Sequence, residues 1–435
     1  MPYSLNPTGS IGARGVRRLR KESGVTLLMV AVGMFALLSM AIISLDVVNV
    51  YMASNQAQKT ADAAALAGAE ALVSSSTASN SVPLNSVCNG SNGDADLRAQ
   101  AVAAQNTIAG VPPTTVTTSC PSTAPPYNPQ IQVVVTRTGI PTFFARMWGS
   151  AASAVSATAI AEAYNPSFDP ANALPDRPPI AIHGIKPWLV NNCSTNACTQ
   201  FLFFMPNHAI ANGGCFIGHT LRLTTAAPST ICGPGGTSAQ FIGLDGPTPL
   251  ACPSTSAVSC SQIGSGSYHD NIACENGYNF SNGQLVGPGQ VFQVAQPQPN
   301  LQSLTTGTEC LIHASGTGLL QGQDSFTFTG APVTITGGSN NPNASLRLVN
   351  SIHRSDSVVT VPVSNCPGPC DPTAQLQIVG FLQLGIRDVT PSTTDSTPGD
   401  IEAVILNAAG LDPASTGTPI TGAGTSPVVM RLNYQ

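Results

Sequence analysis

The stretch that decides the fold is residues 25–45, which read VTLLMVAVGMFALLSMAIISL. It contains no charged residue and no proline. As a helix it would be about 31 Å long, because each residue adds roughly 1.5 Å, and the hydrocarbon core of a bilayer is about 30 Å thick. We therefore predict a transmembrane helix over residues 25–45.

A cleaved secretory signal is the alternative interpretation of this stretch. The apolar region of such a signal has about 7–15 residues, and small residues of the cleavage site follow it closely. Here the alanine-rich stretch begins only at residue 61. The length of the apolar run and this delay favour an uncleaved anchor.

Basic residues cluster in the segment before the apolar run, residues 1–24. They are Arg14, Arg17, Arg18, Arg20 and Lys21. The flank after the run carries Asp46 and no basic residue before Lys59. Because positive charge is retained on the cytoplasmic side of a membrane helix, the amino terminus is predicted to be cytoplasmic and the rest of the chain extracytoplasmic.

The helix is predicted to continue past the membrane as an alanine-rich stalk over residues 46–73. This segment has no proline, its only glycine is Gly68, and residues 61–71 read ADAAALAGAEA. Alanine has the highest intrinsic helix propensity. The small side chains would either space the body from the membrane or let neighbouring helices approach closely.

Residues 22–71 resemble the amino-terminal domain of TadE/TadG-like proteins of the bacterial Flp, or tight-adherence, pilus assembly system. The resemblance rests on basic residues before a glycine-led apolar span and on the run TADAAALAGA at 60–69. The matching residues are Gly24, Asp46, Tyr51, Gln56, Asp62, Ala63, Ala64, Leu66 and Gly68. The resemblance implies a non-enzymatic accessory role in pilus assembly at the inner membrane. Its implied partners are the lipid bilayer and other pilus assembly proteins or pilins.

The sequence departs from the family pattern at two places. Pilin-like members carry a glutamate five residues after the glycine, where this chain has Met29. Larger members carry a von Willebrand A domain with a metal-binding D-x-S-x-S motif, and the nearest match here runs from Asp388 to Ser392 as DVTPS. Too little chain follows Ser392 for that domain. We therefore expect neither a pilin subunit nor a metal site.

Composition indicates a secreted type of body. Only 9% of the 435 residues are charged and 5% are aromatic, whereas glycine (41) and proline (36) are plentiful. The net charge of −5 gives no basic surface for nucleic acid. An apolar content of 42% argues against wholesale disorder.

The twelve cysteines all follow residue 80. The close pairs are Cys193 with Cys198 and Cys366 with Cys370. Zinc is the alternative use of such pairs, but no matching cysteine or histidine pair accompanies them. Disulfides in the periplasm or outside the cell are therefore expected, with no metal and no cofactor.

The fold class predicted is an amino-terminal transmembrane helix that continues into a stalk, followed by a mainly-β extracytoplasmic region with disulfides. Residues 74–164 are expected to form a small α+β region, 165–179 a linker, and 180–435 a β-rich domain. Strand spacing is typical of a β-sandwich or another all-β arrangement. The strand candidates in the last domain are residues 200–205, 290–294, 325–336, 345–349, 357–363, 376–386, 401–406 and 428–432.

No catalytic motif stands out in the sequence. The most suggestive local sets are Cys215 with His219, and Ser265 and Ser267 with the pair His269-Asp270. We expect Cys215 to be oxidised, and we predict no catalytic residue and no small-molecule substrate. A membrane-anchored adhesin or envelope binding module is the alternative function, followed by a secreted hydrolase.

Overall fold

The computed structural model describes residues 19–121, 128–142, 149, 152–167, 178–193, 202–225, 238–246, 260, 267–274, 277–295, 300–315, 321–328, 332–390, 399–411, 417–421 and 426–433. Its helices are α1 (Leu19–Ser74), α2 (Leu84–Val87), α3 (Asp94–Gln105), α4 (Gly213–Phe216), α5 (Ser267–Ala273) and α6 (Leu301–Leu311). The first eight strands are β1 (Thr115–Ser119), β2 (Gln130–Pro141), β3 (Ala152–Tyr164), β4 (Ile180–His183), β5 (Trp188–Val190), β6 (Thr220–Thr224), β7 (Ala239–Gly243) and β8 (Asn279–Ser281). The others are β9 (Leu285–Val286), β10 (Ser325–Thr327), β11 (Thr334–Thr336), β12 (Val358–Ser364), β13 (Leu376–Val389), β14 (Ile401–Gly410), β15 (Ile420–Thr421) and β16 (Val429–Leu432).

Helix α1 runs unbroken through the apolar run and the alanine-rich segment. It ends at Ser74, and Ser76 then adopts a left-handed conformation with φ of 64°. Two further backbone hydrogen bonds, from Ser75 N to Ala71 O and from Ser76 N to Val73 O, close the last turn. A short 3₁₀ turn, Thr77–Ser79, leads the chain away from the helix axis.

The carboxyl-terminal half of α1 belongs to a two-layer α/β unit, which we call the proximal layer. Helices α1 and α3 pack against an antiparallel sheet of order β1-β2-β3-β16. The buried face of α1 is alanine at Ala53, Ala57, Ala61 and Ala64. These side chains are small, so α1 approaches its neighbours closely. Residues 46–73 are therefore the inner helix of a folded layer and not a free spacer.

Gly68 shows how tight this packing is. A Cβ at this position would lie 2.5 Å from Ile131 Cδ1 and 3.2 Å from the carbonyl oxygen of Ala95. Ile131 belongs to β2 and Ala95 to α3, and both are fully buried. The glycine thus permits the helix to touch the sheet and the second helix at the same level.

The fourth strand of the proximal layer, β16, comes from the carboxyl-terminal end of the chain. It pairs with β3, and Arg431 Nε donates to Oε1 of the buried Glu162 at 2.6 Å. The guanidinium of Arg431 also lies 4.1 Å above the ring of Tyr164. The layer therefore draws on residues well outside 74–164.

The β-rich domain is built around a closed six-stranded barrel of order β12-β5-β7-β6-β14-β13, with β13 pairing back to β12. The pairs β5–β12 and β6–β7 are parallel and the others are antiparallel. Alternate strand residues, such as Leu382, Leu384 and Ile386, join one hydrophobic cluster with Ile272 of α5 and Leu304 of α6. The expected mainly-β architecture is confirmed, and its form is a barrel and not a sandwich.

Four strand predictions in this domain need correction. Residues 202–205 and 290–294 are not strands, because Phe204 and Val294 form only isolated bridges, with Ile210 and Leu244 respectively; residues 200 and 201 lie outside the described residues. Residues 325–336 form two strands, because β10 folds back on β11 with Ser325 opposite Thr336. Residues 345–349 are not a strand, although their polar and apolar residues alternate. Asn343 Oδ1 instead caps a 3₁₀ turn by accepting from Ser345 N, and Leu348 is left-handed with φ of 57°.

Candidate membrane anchor

The amino-terminal half of α1 carries large apolar side chains that the described part of the chain leaves exposed. Leu27 is 76% exposed, Phe35 is 70% exposed and Met40 is 72% exposed. Helix α1 is long and apolar enough from Gly24 onward to cross a membrane. Such a contiguous apolar surface is unfavourable in water and favourable in lipid.

The hydroxyl groups within the apolar run make hydrogen bonds inside the helix. Ser39 Oγ donates to Phe35 O at 2.7 Å and Ser44 Oγ donates to Ala41 O at 2.6 Å. Unsatisfied polar groups are costly in hydrocarbon, and bonds of this kind remove that cost. The helix therefore presents no unpaired hydroxyl at these two positions.

Contact between α1 and the proximal layer begins where the apolar run ends. Asp46 is 9% exposed, and Asn49 Nδ2 donates to Pro141 O at 3.2 Å. Further along, Gln56 Oε1 accepts from Ala109 N at 2.8 Å. Asn49 and Gln56 thus bind the helix to the folded body, and Asp46 and Gln56 belong to the predicted family pattern.

The other residues of the family pattern lie at varied positions. Ala64 and Gly68 are buried in the layer, whereas Tyr51 is 67% exposed and a Cβ added at Gly24 would meet no atom within 4 Å beyond its own stretch of helix. The partly buried positions are Asp62, Ala63 and Leu66, and Asp62 Oδ1 accepts from Gln58 Nε2 at 2.8 Å. Arg14, Arg17 and Arg18 lie outside the described residues, as do the side chains of Arg20 and Lys21.

A cluster of buried polar side chains joins the end of α1 to the barrel; we call it the junction cluster. It consists of Ser76, Ser79, Asn165 and Asn407. Asn407 Nδ2 donates to Val73 O at 2.9 Å, and Ser76 Oγ donates to Leu406 O at 2.6 Å. Asn165 Nδ2 lies 2.8 Å from Ala78 O and 2.9 Å from Ala408 O. Sequence reasoning missed this cluster, because its hydrogen bonds join residues that are 87 to 334 positions apart along the chain.

Cysteine pairs occur in both parts of the body. Cys88 is bonded to Cys120, Cys260 to Cys310, and Cys366 to Cys370. Cys193 is also disulfide-bonded, Cys198 lies outside the described residues, and no cysteine within the described ranges is free. The first of these disulfides ties the end of α2 to the residue after β1.

One group of side chains in the described ranges has the spacing of a metal site. Ligand atoms of Cys88, Asp96 and Cys120 lie within 4.8 Å of one another. The two sulfurs are joined in a disulfide, however, and Asp96 Oδ2 accepts from the amides of Asn89, Gly90 and Gly93 at 2.9–3.1 Å. The carboxylate therefore closes the loop before α3, which is a structural role.

Two histidines form pairs with carboxylates in the barrel domain. His269 Nδ1 is 3.0 Å from Asp270 Oδ1, and His313 Nε2 is 3.0 Å from Asp356 Oδ2. The second ring nitrogen of each histidine is buried without a hydrogen-bond partner. Within the described residues, therefore, neither pair reaches a nucleophile.

The remaining candidates for chemistry that the structure describes have structural environments. Cys215 is disulfide-bonded, and neither Ser265 nor the side chain of Ser267 is among the described atoms. Burial raises the pKa of the Tyr278 phenol, whose hydroxyl donates to Leu244 O at 3.1 Å. Asp388 lies in β13, where burial raises the pKa of its carboxyl, and Ser392 lies outside the described ranges.

These features define a class of protein in which one apolar amino-terminal helix is continuous with a disulfide-bearing β-rich body. Residues 24–71 match the model of the Tad family, described as Flp pilus-assembly TadE/G-like. The match covers about a ninth of the 435-residue chain and confirms the resemblance predicted for its amino-terminal domain. No curated protein and no solved structure matches the chain.

Proposed function

We propose that this protein is a single-pass inner-membrane component of Flp pilus assembly that acts as a non-enzymatic scaffold. The observation that supports the proposal is that two features of α1 fall on the same residues. The segment that matches the pilus-assembly family is the segment that holds the exposed apolar half of α1 and its first contacts with the body.

The proposed orientation places the amino terminus in the cytoplasm and the body in the periplasm. Five basic residues precede the apolar run, and Asp46 follows it. Positive charge favours the cytoplasmic side. The disulfides of the body support the same orientation, because they form and persist in an oxidising compartment.

The scaffolding role follows from how the helix is attached. Helix α1 passes without a break from the apolar run into the proximal layer, and the junction cluster fixes its end to β14. A partner bound to the barrel would thus be held at a defined distance from the membrane. The partners proposed are other pilus assembly proteins or pilins.

Met29 separates this role from that of a pilin subunit. Pilin-like relatives have a carboxylate at this depth, whereas here the side chain is apolar and 70% exposed. We infer that the chain stays in the membrane and is not incorporated along the filament.

The proposal is tested by deleting the gene in its native bacterium and complementing it with three forms of the chain. The wild-type chain is expected to restore surface pili and to be absent from purified filaments. A form whose residues 1–45 are replaced by a cleavable secretory signal keeps the body but is expected to fail, and an N55A variant at an exposed position is the matched control. Pili in the deletion strain, or the chain along the filament, would contradict the proposal.

A further inference from the structure

The first turns of α1 beyond the apolar run have two different faces. Asp46, Asn49 and Val50 turn toward the proximal layer. The opposite face consists of apolar side chains that are 53–67% exposed: Val47, Val48, Tyr51 and Met52. We call these four residues the apolar collar.

Polarity on this outward face changes abruptly after Met52. The exposed residues that follow are all polar: Ser54, Asn55, Gln58 and Lys59. The acidic residue that seemed to end the apolar run, Asp46, is on the side that the body covers. Apart from the hydroxyl residues of the apolar run, the outward surface of α1 is therefore apolar up to Met52, about two turns beyond residue 45.

The length of this surface can be compared with a bilayer. From Val25 to Met52 the helix is about 42 Å long at roughly 1.5 Å per residue. The hydrocarbon core is about 30 Å thick, and the bilayer with its headgroup regions about 40–45 Å. A tilt of about 20° shortens the span only to about 39 Å. With residue 25 at the inner boundary, the collar lies at the level of the outer headgroups.

The folded body begins at the same level. Asn49 Nδ2 donates to Pro141 O, so the end of β2 lies at the level of the collar along α1, on the opposite face of the helix. No length of bare helix separates the apolar run from the proximal layer. Tyr51 is moreover a residue type that is enriched at membrane–water interfaces.

We propose that the apolar collar contacts lipid in the headgroup region of the outer leaflet, so that the body rests directly on the membrane surface. This rests on the proposed function, since it requires α1 to cross the membrane. Lipid is the occupant assigned because the collar continues the lipid-facing surface of the same helix without a break. The junction cluster would then lie about 33 Å above Met52 along the helix axis.

The test uses the full chain in vesicles of phosphatidylethanolamine and phosphatidylglycerol. Single cysteines replace Leu38, Val48, Met52, Asn55 or Leu97, and each carries an environment-sensitive fluorophore. Quenching is compared between lipids with a spin label near the headgroup, lipids with one deep in the acyl chain, and iodide in solution. Leu97, on α3 and 51% exposed, is the control outside the membrane.

The labels at Val48 and Met52 are expected to be quenched several-fold more by the shallow lipid label than the labels at Asn55 and Leu97. Iodide in solution should quench the labels at Asn55 and Leu97 more than the labels at Val48 and Met52. If Leu38 is quenched by the deep label but Val48 and Met52 are open to iodide, the anchor stands and the collar assignment is wrong. If Val48 and Met52 are shielded from both lipid and iodide, a protein covers the collar and the assignment is again wrong. If Leu38 escapes the deep label, the proposed anchor itself fails.

Discussion

Asn407 donates its side-chain amide to the carbonyl oxygen of Val73 at 2.9 Å, so a strand of the barrel caps the last turn of α1. The carbonyl groups at a helix end have no partner within the helix, and here the barrel supplies one. Ser79 Oγ accepts from Ala408 N at 3.0 Å on the same strand. Helix α1 and the barrel are therefore joined by buried hydrogen bonds as well as by the chain itself.

The hydroxyl of Ser79 also donates to Asn407 Oδ1. Replacing Asn407 with alanine is expected to lower the free energy of unfolding by about 2 kcal/mol, because the buried carbonyl of Val73 and the hydroxyl of Ser79 each lose a partner. Denaturant unfolding of the detergent-solubilised chain measures this. Backbone amides of residues 75–80 should also exchange hydrogen faster. N55A is the control. Equal hydrogen-exchange rates of residues 75–80 in N407A and N55A would show that the Asn407 side chain does not stabilise the end of α1.

Gly68→Ala is expected to destabilise the protein by about 1–2 kcal/mol. The gain in helix propensity, about 1 kcal/mol, is outweighed because the new Cβ meets Ile131 Cδ1 and the rigid backbone of α3. Combining it with Ile131→Val, which removes that Cδ1, should cost less than the sum of the two single changes. Gly33→Ala is the control, since a Cβ there meets nothing within 4 Å. Additive effects of G68A and I131V would refute the predicted contact.

Removal of the disulfide between Cys88 and Cys120 is expected to cost more stability than removal of the one between Cys366 and Cys370. The two pairs are 32 and 4 residues apart, and in the chain-entropy account such loops correspond to about 4 and about 2 kcal/mol. Double serine variants compared by denaturant unfolding measure the difference. A larger loss from the short loop would contradict the entropic reason.

The oxidation state of the cysteines can be measured by counting free thiols. The native chain, denatured without reductant, is expected to show no reactive thiol. Twelve reactive thiols, one for each cysteine in the sequence, would contradict both the disulfides and the proposed compartment.

His208 is expected to make stability depend on pH. Burial lowers the pKa of its imidazole below the ordinary 6.5, so the unfolded chain takes up a proton before the folded one does. The stability that the neutral imidazole of His208 contributes is fully present above pH 6.5 and is lost as the pH falls toward the lowered pKa of the folded state. His208→Asn keeps a residue that tolerates the left-handed backbone, φ 65°, and removes the titration. Between about pH 8 and pH 5, the midpoint temperature of thermal unfolding should decrease less steeply in the variant than in the wild-type chain. Parallel plots of this temperature against pH would exclude His208 as the cause.

The sequence predicts the local features of this protein well. The charge-free run at 25–45 and the alanines of 61–71 determine a single helix, and the alternating strands 357–363 and 376–386 appear as β12 and β13. What the sequence does not reveal depends on distant partners. The stretch 429–432 completes a sheet begun near residue 115, and Asn165, which looks like the start of a linker, is buried in the junction cluster.

The exposed apolar surface of α1 is a second feature that the sequence alone does not define. In the sequence Asp46 ends the apolar run, and only the fold shows that its side chain is on the body side while Val47 and Val48 face outward. The alanine-rich run likewise fits a spacer or a packing helix equally well. The close approach of Ile131 to Gly68 decides in favour of packing.

The measurement that tests the account most directly is protease treatment of spheroplasts, followed by the intact mass of the surviving membrane-bound fragment. The account predicts a full-length chain in the inner membrane, trimmed from outside to a fragment that keeps the amino terminus and the apolar run. A soluble chain that begins near residue 25 or within the alanine-rich stretch would contradict it, because the apolar run would then be a processed signal.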